Sequence, residues 1–305
     1  MRYKHIELLP NIEVIAKEYA SGCSLTKLAE KYQLCRRKLS RHLQYLGVHI
    51  NIDGQKYGHN EIFFDVINTE EKAYWLGFWY ADGYITPDST VVELTLAEKD
   101  LVHLEKFRDI ISTKHLISRK EVKLKGKVFI AYRLLITNPY IRNALIANGC
   151  VPNKSLILKF PSEEIVPKSL RKHFIRGYVD GDGSIGCYLE PMLRLSFSVL
   201  GTKEFLTSIQ DVFYEEILGY TKVTIGTHGG IFQFSKGGKE SVIKVLSYLY
   251  DGCSVYLERK RDKYLSALAN LVGNNQLYIA EKIGNPEIGN PALKVDSNIL
   301  ANVND

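Results

Sequence analysis

Between residues 12 and 46, apolar side chains recur three times at helical spacing. Ile12, Ile15, Ala16 and Tyr19 follow the pattern i, i+3, i+4, i+7, and Leu25, Leu28, Ala29 and Tyr32 repeat it. Leu39, Leu43 and Leu46 form a third stripe. Such stripes predict three short amphipathic helices. Gly22 and Gly47 stand where the first and third would stop, Ser24 is placed to cap the second, and a turn falls at Gln33-Leu34. Farther along, the period changes to two. Val92, Leu94 and Leu96 alternate with Glu93 and Thr95, while Leu193, Leu195, Phe197 and Val199 alternate with Arg194, Ser196 and Ser198. Each run predicts a half-buried strand. Each leads into a helical stretch, with Leu101, Leu104, Phe107 and Ile111 in one place and Phe205, Ile209, Val212 and Phe213 in the other. A further strand pair follows each: Ser118–Leu124 with Val128–Ile136, and Lys222–Ile225 with Ile231–Phe234. Another helix then ends in Gly149-Cys150 or in Gly252-Cys253.

The order is therefore the same twice over, and two nine-residue blocks head the copies. WLGFWYADG occupies Trp75–Gly83, and IRGYVDGDG occupies Ile175–Gly183, a hundred positions later. Each places an Asp before its last Gly (Asp82, Asp182) and small residues four apart (Gly77 and Ala81; Gly177 and Gly181). Positions i and i+4 share one helix face, so each block offers a face nearly free of side chains. Two such helices can pack closely, which brings the C-terminal aspartates together. A single helix ending in Asp-Gly is a common cap, but the repeated context is not. DGDGS at Asp180–Ser184 is no calcium loop, because an EF-hand needs Gly at position six and Glu at position twelve, where this chain has Ile185 and Pro191.

The paired blocks resemble the LAGLIDADG family of homing endonucleases in its single-chain, two-motif form, over roughly Glu70 to Leu271. The resemblance implies an α+β fold of two pseudo-symmetric αββαββα repeats whose antiparallel sheets form a DNA-binding saddle. It implies metal-dependent double-strand cutting of a long asymmetric DNA target. Asp82 and Asp182 would hold two or more Mg²⁺ ions between the central helices, with Ala81 and Gly181 completing the metal positions. Oxygen ligands and a phosphate substrate suit that ion. The family places a lysine near the end of each repeat, for which Lys154 and Lys260 are the candidates, with Arg259 and Lys263 competing for the second. An auxiliary polar residue would fall near Glu98 in one half and at Gly201 in the other, where the pattern departs. Tyr80 departs too, standing where the second block has Asp180, and that position is expected to cap or pack. Sequence readout on the saddle falls to Arg119, Lys123, Lys125, Arg133, Arg194, Lys222 and Gln233.

The first fifty residues read as a separate all-α domain. SLTKLAEKYQLCRRKLSRHLQYLGV resembles the helix-turn-helix of resolvases and related regulators, in which the last helix enters the major groove. Arg36, Arg37, Lys38, Ser40, Arg41 and Gln44 lie off the apolar stripe of the third helix and are the DNA-contact candidates. The expected division is a helix-turn-helix domain at 1–50, a linker at 51–68, repeats at 69–167 and 168–272, and a flexible tail at 273–305 carrying IGNP twice.

Bulk properties change this picture little. The 305 residues suit about two domains, and an excess of Lys plus Arg over Asp plus Glu of 40 to 34 permits a polyanionic partner. Five scattered cysteines without a CxxC pair disfavour zinc or disulfide frameworks. No apolar run approaches the roughly 20 residues of a membrane span, so a cytoplasmic protein is expected, or an organellar or phage-encoded one. Double-stranded DNA is the expected partner, without membrane or obligate protein partner, and one chain with both halves implies a monomer. A non-cleaving transcription regulator on the same fold and an intron RNA maturase are the alternative readings. An intein-borne enzyme is not expected, since ANVND lacks a His-Asn ending.

Overall fold

The computed structural model describes residues 11–23, 25–35, 38–39, 42–43, 46, 48, 59–112, 115–124, 126–188 and 193–283. The chain divides into two compact units, one formed by residues 1–60 with 110–115 and the other by residues 61–109 with 116–305. In the first unit, α1 (Ile12–Ala20) and α2 (Leu25–Lys31) bury the predicted stripes. Ile12, Ile15, Leu25, Leu28, Ala29, Leu39 and Leu43 share one core, with Ala16, Tyr19 and Tyr32 against it. Leu46, expected on the third stripe, is instead exposed. Gly22, at φ 98°, lets the chain leave α1 while Cys23 N–H reaches back to Glu18 C=O. Glu18 then receives the Lys31 ammonium and the Tyr32 hydroxyl at 2.8 and 2.9 Å, tying α1 to α2.

The second unit contains the duplication. Its first half is α3 (Glu70–Asp82), β1 (Gly83–Ile85), β2 (Val91–Ala97), α4 (Leu101–Ile111), β3 (Ile117–Leu124), β4 (Lys127–Thr137) and α5 (Pro139–Ala147). Its second half is α6 (Arg171–Asp182), β5 (Gly183–Tyr188), β6 (Arg194–Gly201), α7 (Lys203–Glu216), β7 (Ile225–His228), β8 (Ile231–Gly237) and α8 (Lys239–Tyr250), followed by α9 (Glu258–Ile283). The strands form two four-stranded antiparallel sheets of the same order, β1-β2-β4-β3 and β5-β6-β8-β7. This is an α+β fold of two αββαββα repeats. Among the described residues, no helix is long and apolar enough to cross a membrane.

Sequence explains where the repeats sit. Thr69 caps α3 by accepting from Lys72 N–H, with Glu70 and Glu71 in the first turn. From Ala73 to Tyr80 every residue of α3 is buried, as is every residue of α6 from Phe174 to Asp180. A helix buried on all sides belongs at the centre of its unit. On each sheet, Val92, Leu94 and Leu96, or Leu195, Phe197 and Val199, turn to the buried side.

Four expectations need correcting. The linker does not reach residue 68, because Phe63, Phe64 and Ile67 are buried and Asn148 Nδ2 donates to Phe64 C=O at 2.6 Å. Two adjacent aromatics anchor a segment without needing any period. β7 begins at Ile225 rather than Lys222, since buried Gln210 takes up the Val223 main chain on both sides, accepting from its N–H at 2.6 Å and donating to its C=O at 3.0 Å. The tail boundary at 272 falls inside α9, which runs to Ile283. Helix propagation costs little once a turn exists, and residues 276–282 are rich in helix formers. Finally, Arg119 and Lys123 face away from Arg133, because their positions on β3 alternate with those of its neighbours.

Candidate functional site

The site begins with two glycines. A methyl group placed on Gly77 would stand 2.0 Å from Phe174 O, and one on Gly177 would stand 1.9 Å from Tyr74 O. Main chain thus meets main chain across the α3–α6 seam, reciprocally in the two halves. One turn later Gly181 accepts the Ala81 side chain, whose Cβ would be 2.3 Å from a methyl on Gly181, with the Asp82 carboxylate oxygen Oδ2 at 3.3 Å. Ala81 and Gly181 therefore act first as the place where the helices touch. Beyond them α3 and α6 both end, so Asp82 and Asp182 emerge side by side where their strands begin.

Each aspartate is followed by a glycine whose carbonyl receives a lysine. Lys154, in a 3₁₀ turn over Lys154–Leu156, donates to Gly83 C=O. Lys260, in the first turn of α9, donates to Gly183 C=O and Asp180 C=O, each at 2.7 Å, and also to Val179 C=O. The lysines lie at different sequence distances from their aspartates, yet they reach equivalent carbonyls. An ammonium at a helix C-terminus also meets the negative end of its dipole. Lys260 is 3% exposed, and burial lowers its pKa to about 8. Its competitors are occupied elsewhere: Arg259 grips Asp100 with two hydrogen bonds at 2.7 and 3.0 Å, and Lys263 donates to Ile185 C=O.

The carboxylates hold protons more tightly than ordinary ones. The Asp82 carboxyl is crowded by protein yet open to solvent on one side. Burial first, and the like charge of Asp182 second, push it up to about 7, against the pull of Lys260 and Lys154. Burial raises Asp182 too, opposed by both lysines and by Tyr178. Two like-charged oxygen donors in a crowded cleft fit a small hard cation. No group of three or more His, Cys, Asp or Glu that could hold a metal occurs among the described residues. Two carboxylates, with water or phosphate completing the shell, match the usual surroundings of Mg²⁺.

Asp180 takes no part in this pair. It is fully buried and accepts from Tyr74 OH at 2.7 Å, Tyr250 OH at 2.6 Å and Leu257 N–H at 2.7 Å. Its counterpart Tyr80 donates instead to Asn148 C=O at 2.6 Å. Glu98 is exposed on a 3₁₀ turn over Glu98–Asp100, and the acid of that turn whose charge reaches Asp82 is Asp100. Register also removes the proposed match with Gly201. Gly83 pairs with Leu94 and Gly183 with Val199, so Gly201 corresponds to Leu96.

Cross-strand partners share a sheet face, which sorts the readout candidates. Arg133 pairs with Thr95 and Ser118, and Lys120 with Ala131, so Tyr84, Glu93, Thr95, Ser118, Lys120 and Arg133 share the open face of the first sheet. Glu93 lies within 3.6 Å of Lys120 and 3.9 Å of Arg133. Arg119 and Lys123 pair with Tyr132 and Val128 and face the other way, as strand alternation demands. Lys120 is absent from the sequence-derived candidates, although the same alternation points to it. On the second sheet, Arg194 and Gln233 share the open face with Ser184, Tyr188, Ser196, Ser198 and Ser235. Lys222 pairs with Asp211 of α7, away from that face. Of the first unit's candidates only Lys38 is described, and it is exposed. Arg36, Arg37, Ser40, Arg41 and Gln44, like Lys125, lie outside the described residues.

Fold and site together define a duplicated αββαββα protein with one aspartate and one lysine per half at a shared helix seam. No family model matches the sequence, and no curated protein matches it. Among solved structures the chain is similar to the LAGLIDADG meganuclease I-AabMI bound to uncleaved DNA, with 14% identity and a TM-score of 0.43, covering 66% of this chain and 91% of that one. It is similar to the LAGLIDADG homing endonuclease I-SmaMI bound to cleaved DNA, at 14% identity, TM-score 0.43 and coverage of 71% and 93%. It is also similar to the homing endonuclease I-WcaI bound to its DNA recognition sequence, at 13% identity, TM-score 0.46 and coverage of 68% and 90%. At these values no residue role is carried across, and the site rests on this chain's own geometry.

Proposed function

We propose that this protein is a LAGLIDADG-type endonuclease that cuts both strands of a long, asymmetric double-stranded DNA target. One observation carries the reading: two aspartates end helices packed backbone to backbone, and each stands beside a lysine bound to the next glycine's carbonyl. A regulator that only binds DNA has no use for two crowded carboxylates whose repulsion costs stability. Asp82 and Asp182 would hold Mg²⁺, which supplies activation of water and neutralisation of the leaving 3′ oxygen. Lys154 and Lys260 each place a positive charge at one end of the pair, where it offsets charge building on a phosphate. The open faces of the two sheets carry unlike side chains, which suits a target without a palindrome. The first unit, through Arg36, Arg37, Lys38 and Arg41, would add a second grip on the same DNA and raise local concentration.

The test is cleavage-site selection from randomised duplex DNA with Mg²⁺, followed by Asp82→Asn and Asp182→Asn. The expected result is a single long selected site, with double-strand cutting abolished in either variant and binding retained. Full cutting by either variant would refute the assignment of the site.

A further inference from the structure

Arg176 is a charged residue inside an apolar helical run, and it is completely buried. Its guanidinium donates to Val255 C=O at 2.9 Å, to Leu249 C=O at 3.0 Å and to Glu70 Oε1 at 2.7 Å. Glu70, in the first turn of α3, also accepts from Ser254 N–H at 2.7 Å. Four residues on, Asp180 holds the far end of the same segment through Leu257 N–H and its near end a second time through Tyr250 OH. Residues 249–257 are thus fastened at both ends by α6 and from the side by α3. Lys260 begins immediately beyond, its own N–H bonded to Leu257 C=O at 3.0 Å.

Among the described residues, the other half has no charged equivalent: there α3 holds the corresponding segment through Tyr80 OH on Asn148 C=O and Cys150 Sγ on Trp79 C=O. Taking the motif offset of a hundred positions, Arg176, Asp180 and Glu70 correspond to Leu76, Tyr80 and Leu170. Lys154 donates to the seam at Gly83 C=O, whereas Lys260 reaches the carbonyls of Val179 and Asp180 as well as that of Gly183. Burying a guanidinium is costly unless every donor is paired. Its retention in one half only therefore marks a demand specific to the segment that carries Lys260.

We propose that Glu70 and Arg176 are positioning residues for Lys260, so that the two basic pockets are inequivalent and the clamp serves the cutting of one strand only. This rests on the endonuclease reading for its consequence, but not for the clamp itself. The test has two arms on the full-length protein. In the first, lysines are acylated by a water-soluble reagent and read by mass spectrometry. Arg176→Met should raise the labelling of Lys260 relative to Lys154 by about tenfold, because reactivity follows the locally opened population. Glu70→Gln, which keeps an acceptor but removes the charge, should fall between wild type and Arg176→Met. General loosening would raise both lysines together, so an unchanged ratio in both folded variants overturns the proposal.

The second arm uses supercoiled plasmid carrying the selected site. Arg176→Met and Glu70→Gln should accumulate nicked circles whose nick lies always on the same strand, with the strand opposite Lys260 cut at near wild-type rate. Equal slowing of both strands also overturns the proposal. Should the wild-type protein cut no DNA at all, the endonuclease reading falls, while the labelling ratio still decides the clamp.

Discussion

Replacing Gly177 by Ala tests the seam directly. The new methyl would lie 1.9 Å from Tyr74 O, 2.8 Å from Tyr74 C and 2.9 Å from Phe78 N, all main-chain atoms of a buried helix. Carbon meets carbonyl oxygen comfortably at roughly 3.3 Å, so α3 and α6 must part by more than 1 Å. Overpacking of this kind costs up to about 3 kcal/mol, and parted surfaces forfeit a good share of their dispersion attraction. Alanine returns about 1 kcal/mol through its better helix propensity. The net loss is therefore about 2 kcal/mol, or about 4–8 °C in melting temperature for a unit of this size. The assay is built in, because the protein's only two tryptophans, Trp75 and Trp79, are buried on α3. Their fluorescence follows the seam and not the N-terminal unit. Gly226→Ala, where a methyl meets nothing within 4 Å, is the matched control and should leave the melt unchanged. Adding Gly77→Ala to Gly177→Ala should cost less than the sum, since one separation makes room for both methyls. A Gly177→Ala protein that melts at or above the wild-type temperature would refute the packing argument.

Four further outcomes are expected. The Asp82 carboxyl, held near 7 in the folded chain against 3.8 in the unfolded one, keeps a proton that unfolding releases. Metal-free stability is therefore lost as pH rises from 3.8 towards 7, so Asp82→Asn should melt above wild type at neutral pH, with the gap closing in acid. Mg²⁺ should raise the wild-type melting temperature at neutral pH and leave an Asp82→Asn/Asp182→Asn protein unmoved. Changing Arg36, Arg37 and Arg41 together to Ala should shorten the DNA footprint and lower the salt slope by about 0.9 for each phosphate no longer neutralised, while cutting continues at the same phosphates. Light scattering on the DNA complex should give one chain per target, and two would refute the monomer.

The duplicated order of elements and the aspartate pair were legible because each depends on local pattern or on spacing shared by two copies. Lys154 and Lys260 became candidates only through the family resemblance, with the Gly-Cys landmark in each half marking where to look. What stayed hidden depends on register and on partners distant in sequence. Arg119 and Arg133 look alike along the chain, and only strand pairing puts them on opposite faces. The early residues of the expected β7 carry strand-like chemistry, but Gln210 supplies their main-chain partner from another element. The clamp left one trace, an arginine between Ile175 and Gly177 in a run otherwise suited to burial. Glu70 as its partner, 106 residues away, could not be read from the sequence.

The open faces of the two sheets differ in kind. The first presents an ionic cluster of Lys120, Glu93 and Arg133, and the second presents Ser184, Ser196, Ser198 and Ser235 beside Arg194, the one lysine or arginine on that face among the described residues. On the DNA-binding reading, attachment through the first face draws on counterion release and weakens with added salt. Hydroxyls both give and accept hydrogen bonds without net charge, so the second face suits bonding bridged by water, which salt hardly touches. Raising ionic strength should then peel the protein from one end of its target before the other, so that protection shrinks in a fixed direction along the duplex.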